Sequence, residues 1–213
     1  MDETVALSLE SAPDTGDDPV ELVFDDGTLQ LRGPEAERAA SEAARAWFSW
    51  DERSESWRAQ AVDYRAALGS LLKHGWTVED GVRQYETLEL EISDRFDPYP
   101  HQSEGLEAWR QAEKRGVVVL PTGAGKTYLA QLAIESVART TLIVVPTIDL
   151  MNQWSGVLEE SFGTQVGLIG GGYHELEALT VATYDSAAMH MADIGQRFGM
   201  MVFDEVHHLP SDF

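Results

Sequence analysis

The 213-residue chain contains no cysteine. That excludes disulfides, thiolate zinc sites and a cysteine nucleophile, and it suits a reducing intracellular compartment. Lysine is nearly as scarce: Lys73, Lys114 and Lys126 are the only three, while arginine supplies twelve. No segment is long and apolar enough to span a bilayer, and no basic stretch followed by an apolar core opens the chain. A cytoplasmic protein without a membrane partner is therefore expected. Internal repeats and low-complexity tracts are missing too.

Negative charge is what the chain has in excess, with a net value of −22. Residues 1–90 hold 20 acidic against 8 basic side chains and the rest 17 against 7, so the acidity is spread and is not a tail. Apolar residues at 43% mark a globular composition. The uniformly acidic, lysine-poor composition resembles that of proteins from salt-loving archaea, where dense carboxylates keep a chain solvated. Such a charge opposes phosphate contacts overall, but a nucleic-acid track needs only a local basic stripe, and net charge does not decide the fold.

A length of 213 residues holds one large domain or two small ones. Residues 1–19 are rich in Asp, Ser, Thr and Pro without apolar period and read as a flexible acidic tail. Val20–Phe24 and Thr28–Leu31, joined by Asp25-Asp26-Gly27, read as a hairpin. The alanine-rich run from Glu35 to Phe48 reads as a helix with Pro34 near its first turn. A second hairpin is expected over Trp50–Ala61, and a helix over Val62–His74 with Gly75 at its C-cap. Trp76–Val78 and Glu86–Ile92 are strand candidates, so residues 20–92 form a small α+β domain. From residue 93 the pattern changes. Strands are expected at Val117–Leu120, Thr141–Val145, Gln165–Ile169, Leu179–Thr183 and Met200–Phe203, with helices over 101–115, 127–139, 148–160 and 185–195. Apolar strands alternating with helices predict a parallel α/β sheet covered on both faces.

Two segments of residues 93–213 carry chemistry. Leu120-Pro121-Thr122-Gly123-Ala124-Gly125-Lys126-Thr127 lies between an expected strand and an expected helix. In that context glycines let backbone N–H groups turn toward phosphate oxygens, and the helix N-terminus adds a favourable field. Lys126 would reach the outer phosphates and the Thr127 hydroxyl would bind Mg²⁺. The bland alternative is a glycine-rich turn without a ligand. Met200-Met201-Val202-Phe203-Asp204-Glu205 delivers two carboxylates at the carboxyl end of a strand, the edge where open parallel sheets bind ligands. Asp204 suits hydrated Mg²⁺ and Glu205 the orientation of an attacking water, although an Asp-Glu pair standing alone is usually just solvated. His207 and His208 follow; adjacent histidines point apart and lack a cysteine to complete a zinc site, and ordinary loop histidines remain open. Trp47, Trp50, Trp57 and Trp76 either fill a small core or stack on unpaired bases, with the core reading preferred.

Pro121–Thr127 together with Asp204-Glu205-Val206-His207-His208 resembles the XPB (xeroderma pigmentosum group B) branch of superfamily 2 helicases. Thr141–Thr147 looks like that family's motif Ia, which contacts the DNA backbone. Thr180–Ser186 looks like its next nucleic-acid-facing block, and Gln102 like the glutamine that reads adenine. The resemblance implies a RecA-like P-loop lobe that uses ATP and Mg²⁺, with Thr122, Gly123, Ala124, Gly125, Lys126 and Thr127 at the nucleotide and His207 coupling ATP chemistry to duplex or forked DNA. It implies a nuclease or a transcription-repair assembly as protein partner, and a damage-recognition-like domain over residues 20–92. Tyr99-Pro100-His101-Gln102 departs from the family's Arg-x-Tyr-Gln. The segment expected after the DExH box and the second lobe with its arginine finger, worth about 10³–10⁵ in rate, do not follow, so an N-terminal fragment inactive by itself is expected. A restriction- or remodelling-type translocase and a non-catalytic DNA- or partner-binding module stand as alternatives.

Overall fold

The structure, a computed structural model, describes residues 18–208 and divides after Arg83 into two compact units. The tail expected over residues 1–19 lies, but for its last two residues, outside the described residues.

The first unit begins with β1 (Val20–Asp25) and β2 (Thr28–Arg32), paired antiparallel. The turn places Asp26 and Gly27 at φ 48° and 76°, the mirror-image geometry that matches the twist of a hairpin. α1 (Ala36–Ala43), β3 (Ser49–Asp51), β4 (Ser56–Gln60), α2 (Tyr64–Lys73) and β5 (Val78–Asp80) follow. The sheet order is β3-β4-β2-β1-β5, with β5 parallel to β1. Ala36, Ala39, Ala40 and Ala43 form the buried stripe of α1. That helix stops five residues short of the expected Phe48. The Trp47 and Phe48 N–H groups both turn back to the Ala44 carbonyl, which carries Phe48 into the core. α2 ends in a Schellman motif: the Gly75 N–H donates to Leu72 O and the Trp76 N–H to Leu71 O, both at 3.1 Å, with Gly75 at φ 84°. Trp76 and Leu71, both buried, supply the apolar contact that accompanies such a cap.

The second unit contains α3 (Pro100–Gln111), α4 (Lys126–Val137), β6 (Thr141–Val145), α5 (Ile148–Phe162), β7 (Val166–Gly170), β8 (Tyr173–His174), β9 (Leu179–Thr183), α6 (Tyr184–Ile194) and β10 (Met200–Phe203). Its sheet runs β10-β6-β9-β7-β8, parallel except for β8. All of β6 is buried, and its alternate side chains feed two cores. Ile143 and Val145 join Met151, Trp154 and Leu158 of α5, whereas Leu142 and Val144 join Ala187 and Ile194 of α6. This is the two-sided burial that the unbroken apolar run predicted.

Two expectations are corrected. Val117–Leu120 is not a strand: no ladder includes it, and Val117 and Val119 are 73% and 86% exposed. A β-prone run becomes a strand only by pairing, and these four residues have no partner strand. Glu86–Ile92 is not a strand either, contributing only the bridge Thr87↔Arg139. It runs with the second unit instead, where the Leu88 N–H donates to Ala138 O at 2.8 Å and Leu88 and Leu90 pack on the α5-side core. The sequence pattern, in turn, did not show β8, a two-residue strand that follows the Gly170–Gly172 turn.

Candidate nucleotide and nucleic-acid site

The phosphate loop leads directly into α4. Gly123 and Gly125 take φ of 78° and 76°, and no side chain caps the helix, so its first N–H groups are not spent on a cap. Gly125 is required for a second reason: a Cβ there would lie 2.3 Å from Gln102 Nε2. Gln102, on the first turn of α3, is 1% exposed. Its Nε2 donates to the Ala124 and Gly125 carbonyls at 3.2 and 3.1 Å, and its Oε1 accepts from the Tyr99 N–H at 2.9 Å. His101 Nε2 donates to the same Ala124 carbonyl at 3.0 Å. Gln102 and His101 thus hold the loop from behind. Lys126 lies on the first turn of α4 with its ammonium in a long 3.5 Å contact to Leu120 O, and Thr127 follows it, half-buried. Thr122 is exposed and Ala124 half-buried.

The two carboxylates stand where β10 ends, and α4 packs against that strand. The Asp204 N–H donates to Val144 O at 3.0 Å, which extends the β10–β6 ladder by one residue. Asp204 is held at three further points. Oδ2 accepts from the Trp154 indole N–H at 2.8 Å, Oδ1 from the Glu205 N–H at 3.0 Å, and the backbone carbonyl from the Tyr184 hydroxyl. Burial, and then the charges of Asp204 and Glu205, push the Tyr184 pKa above its ordinary value, so the hydroxyl remains a donor. Glu205 sits at φ 50°, a left-handed conformation rare for a residue with a side chain. Its carboxylate lies 3.3 Å from His207 Nδ1. Among the described residues no group of three or more His, Cys, Asp or Glu could hold a metal ion.

Because β6, β7, β9 and β10 are parallel, the residues that follow them share one edge of the sheet. Beside Asp204-Glu205 these are Pro146-Thr147, Gly170–Gly172 and Thr183–Ser186. Thr147 and Thr183 cap α5 and α6, their side chains accepting from the Leu150 and Ser186 N–H groups at 3.3 Å. Gly170, Gly171 and Gly172, all at positive φ, line an open cleft of about 530 Å³ with His174, Ser186 and His190. The two histidine rings meet edge-on with centroids 4.5 Å apart.

In the first unit the tryptophans separate by burial. Trp76 lies in the core with the Arg38 guanidinium over its ring, and Trp47 and Trp57 pack against the core. Trp50 pairs with Trp57 across β3 and β4 at a ring distance of 5.7 Å but remains 50% exposed. The core reading describes three of the four rings. Neither Trp154 nor Tyr184 was singled out from the sequence as an Asp204 partner. Tyr184 lies inside the Thr180–Ser186 block, but nothing in the spacing shows where a buried N–H or hydroxyl points.

A mostly parallel sheet flanked by helices, with a glycine-rich loop opening α4 and an Asp-Glu pair closing β10, fits the first, RecA-like lobe of a superfamily 2 helicase. The chain belongs to the family described as "Type III restriction enzyme, res subunit", which it matches over residues 95–212. Residues 22–82 match the "Xeroderma pigmentosum group B helicase damage recognition domain". Over 172 residues it is 40% identical to the DNA 3'-5' translocase XPB2 of Sulfurisphaera tokodaii, covering 81% of this chain and 39% of that protein. It is 36% identical to a Rad25 protein of Halobacterium salinarum, over 67% of this chain and 25% of that one. It is 23% identical to the general transcription and DNA repair factor IIH helicase/translocase subunit XPB of Schizosaccharomyces pombe, over 62% of this chain and 19% of that one. A solved structure of the UvsW helicase from bacteriophage T4 aligns over 90% of this chain at TM-score 0.48 and 20% identity. The chain thus spans about two fifths or less of the relatives' lengths. No helix among the described residues is long and apolar enough to cross a membrane.

Proposed function

We propose that this chain is the ATP- and DNA-engaging front part of an XPB-type DNA helicase or translocase acting in repair or transcription. The observation that carries the reading is that the phosphate loop enters α4 while α4 packs against the strand that ends in Asp204-Glu205. The Gly123 and Gly125 conformations and the uncapped start of α4 fit a nucleotide's phosphates. Bound Mg·ATP would supply the phosphoryl group for transfer to water. In that setting Lys126 places positive charge against the outer phosphates, Thr127 and Asp204 hold the metal, and Glu205 orients the attacking water. His207, beside Glu205, is positioned to report on DNA engagement through that carboxylate. Gln102 steadies the loop, and an adenine contact from it would replace bonds that it makes here.

A cleft lined by glycine backbone, Ser186, His174 and His190, with Asp193 at its wall, offers hydrogen-bond donors to a nucleic-acid backbone. DNA, duplex or forked, is the partner; a nuclease or a transcription-repair assembly is the proposed protein partner class. A restriction-type translocase shares the lobe, but the match over residues 22–82 favours the XPB reading. Titration with a fluorescent ATP analogue and Mg²⁺ tests the site. Lys126→Ala should weaken binding about 10–100-fold, the worth of a charge-assisted contact. In the full-length gene product Glu205→Gln should retain binding and lose about 10²–10⁴ in hydrolysis. Undiminished binding or normal turnover, respectively, would remove each assignment.

A further inference from the structure

Asp204 is gripped from two sides by side chains that the phosphate loop does not explain. The Trp154 indole, 4% exposed on α5, spends its only N–H on Asp204 Oδ2 at 2.8 Å. Tyr184, the first residue of α6, donates its hydroxyl to the Asp204 carbonyl. α5 begins directly after Thr147, and α6 directly after Thr183. α5, which follows the first of the two blocks expected to face nucleic acid, and α6, which begins inside the second, therefore each place one donor on the same aspartate. We infer that Trp154 and Tyr184 are positioning residues that aim the Asp204 carboxylate at the metal and tie its aim to α5 and α6. This rests on the reading of Asp204 as the metal carboxylate.

The physical argument is one of satisfaction. A carboxylate offers about four lone-pair directions, and Trp154 and the Glu205 N–H take one on each oxygen, which stops the group from rotating. A hydrogen bond to an ionised acceptor is about twice as strong as a neutral one. A buried indole N–H has no other partner to turn to, so a shift of α5 carries the carboxylate with it. Tyr184 fixes the backbone of the same residue, which prevents the strand end from swinging where Glu205 takes its left-handed turn. Partners of a metal ligand are typically worth about 10–100-fold in metal affinity or activity.

The test is the Mg²⁺ dependence of ATP hydrolysis by the full-length gene product, unaltered and as Trp154→Phe, Tyr184→Phe and Asp204→Asn. Tyr184→Phe keeps the ring and removes only the donor; Trp154→Phe also exchanges the buried indole for a smaller ring, so its melting temperature is read beside the Mg²⁺ midpoint. Trp154→Phe should raise the half-saturating Mg²⁺ concentration about tenfold, and Tyr184→Phe should raise it by less. A lost structural contact would lower the amplitude and the melting temperature without moving that midpoint. Wild-type Mg²⁺ midpoints in both folded phenylalanine variants, with the Asp204→Asn profile displaced, would overturn the positioning roles and leave the metal assignment standing. An Asp204→Asn profile that overlays the wild type would overturn the metal assignment itself.

Discussion

Tyr64 shows how environment sets a side chain's role. Tyr64 in the first unit donates to Asp80 while Arg83 Nε approaches both, lying 2.9 Å from Asp80 Oδ2. Burial first, and then the Asp80 carboxylate, push the Tyr64 pKa up to about 12 against an opposing pull from Arg83. The native state therefore keeps a proton that the unfolded chain releases near pH 10. The resulting stability is complete below pH 10 and is lost as the pH rises toward about 12. Absorbance titration near the tyrosinate band should show, beside the raised Tyr184, a ring ionising near pH 12 that disappears in Tyr64→Phe, and urea midpoints should fall less steeply above pH 10 in that variant. A wild-type titration with every ring ionising together near pH 10 would contradict this.

At the level of elements, the loop and α3 depend on each other through Gln102. Gly125→Ala would place a methyl 2.3 Å from Gln102 Nε2 and force a left-handed alanine, costing about 1–2 kcal/mol for the backbone alone. It should lower the melting temperature by a few degrees and weaken nucleotide-analogue binding more than about tenfold. Binding equal to wild type would mean that the loop re-forms without its clamp. The same elements show what could be read from the sequence. β6 and β9 follow their apolar runs residue for residue, because a strand buried on both faces leaves a pattern that composition alone reveals; β10 does too, although Met201 and Phe203 on one of its faces stay exposed. Val117–Leu120 has the same composition and yet forms no strand, since pairing is a property of the neighbour and not of the run. The placing of Lys126 and Thr127 at the start of α4, and of Asp204 and Glu205 at the end of β10, was legible because it is local in sequence. Gln102 as a clamp and Trp154 as a partner were not, because each meets its target across 22 or 50 residues of chain.

Across the whole molecule, −22 charges on 213 residues repel one another at a range set by salt. The screening length falls from about 10 Å at 0.1 M to about 3 Å at 1 M. The circular-dichroism melting temperature should therefore rise steadily with KCl over that range, consistent with a composition suited to high salt. A melt indifferent to salt would show that the carboxylates are spaced widely enough not to interact. Folding of so charged a chain is a contest between local preferences and the global minimum, and Glu205 shows where the two disagree. Its φ of 50° is a conformation that glycine adopts freely and glutamate does not. Mutations there that relax the backbone would make a sturdier molecule by deleting a carboxylate, so under the role proposed for Glu205 drift toward stability and drift toward activity pull this one position in opposite directions. Such local frustration is where a natural sequence departs from the best sequence for its own fold. It gives the end of β10 a thermodynamic signature that needs neither ligand nor assay to detect.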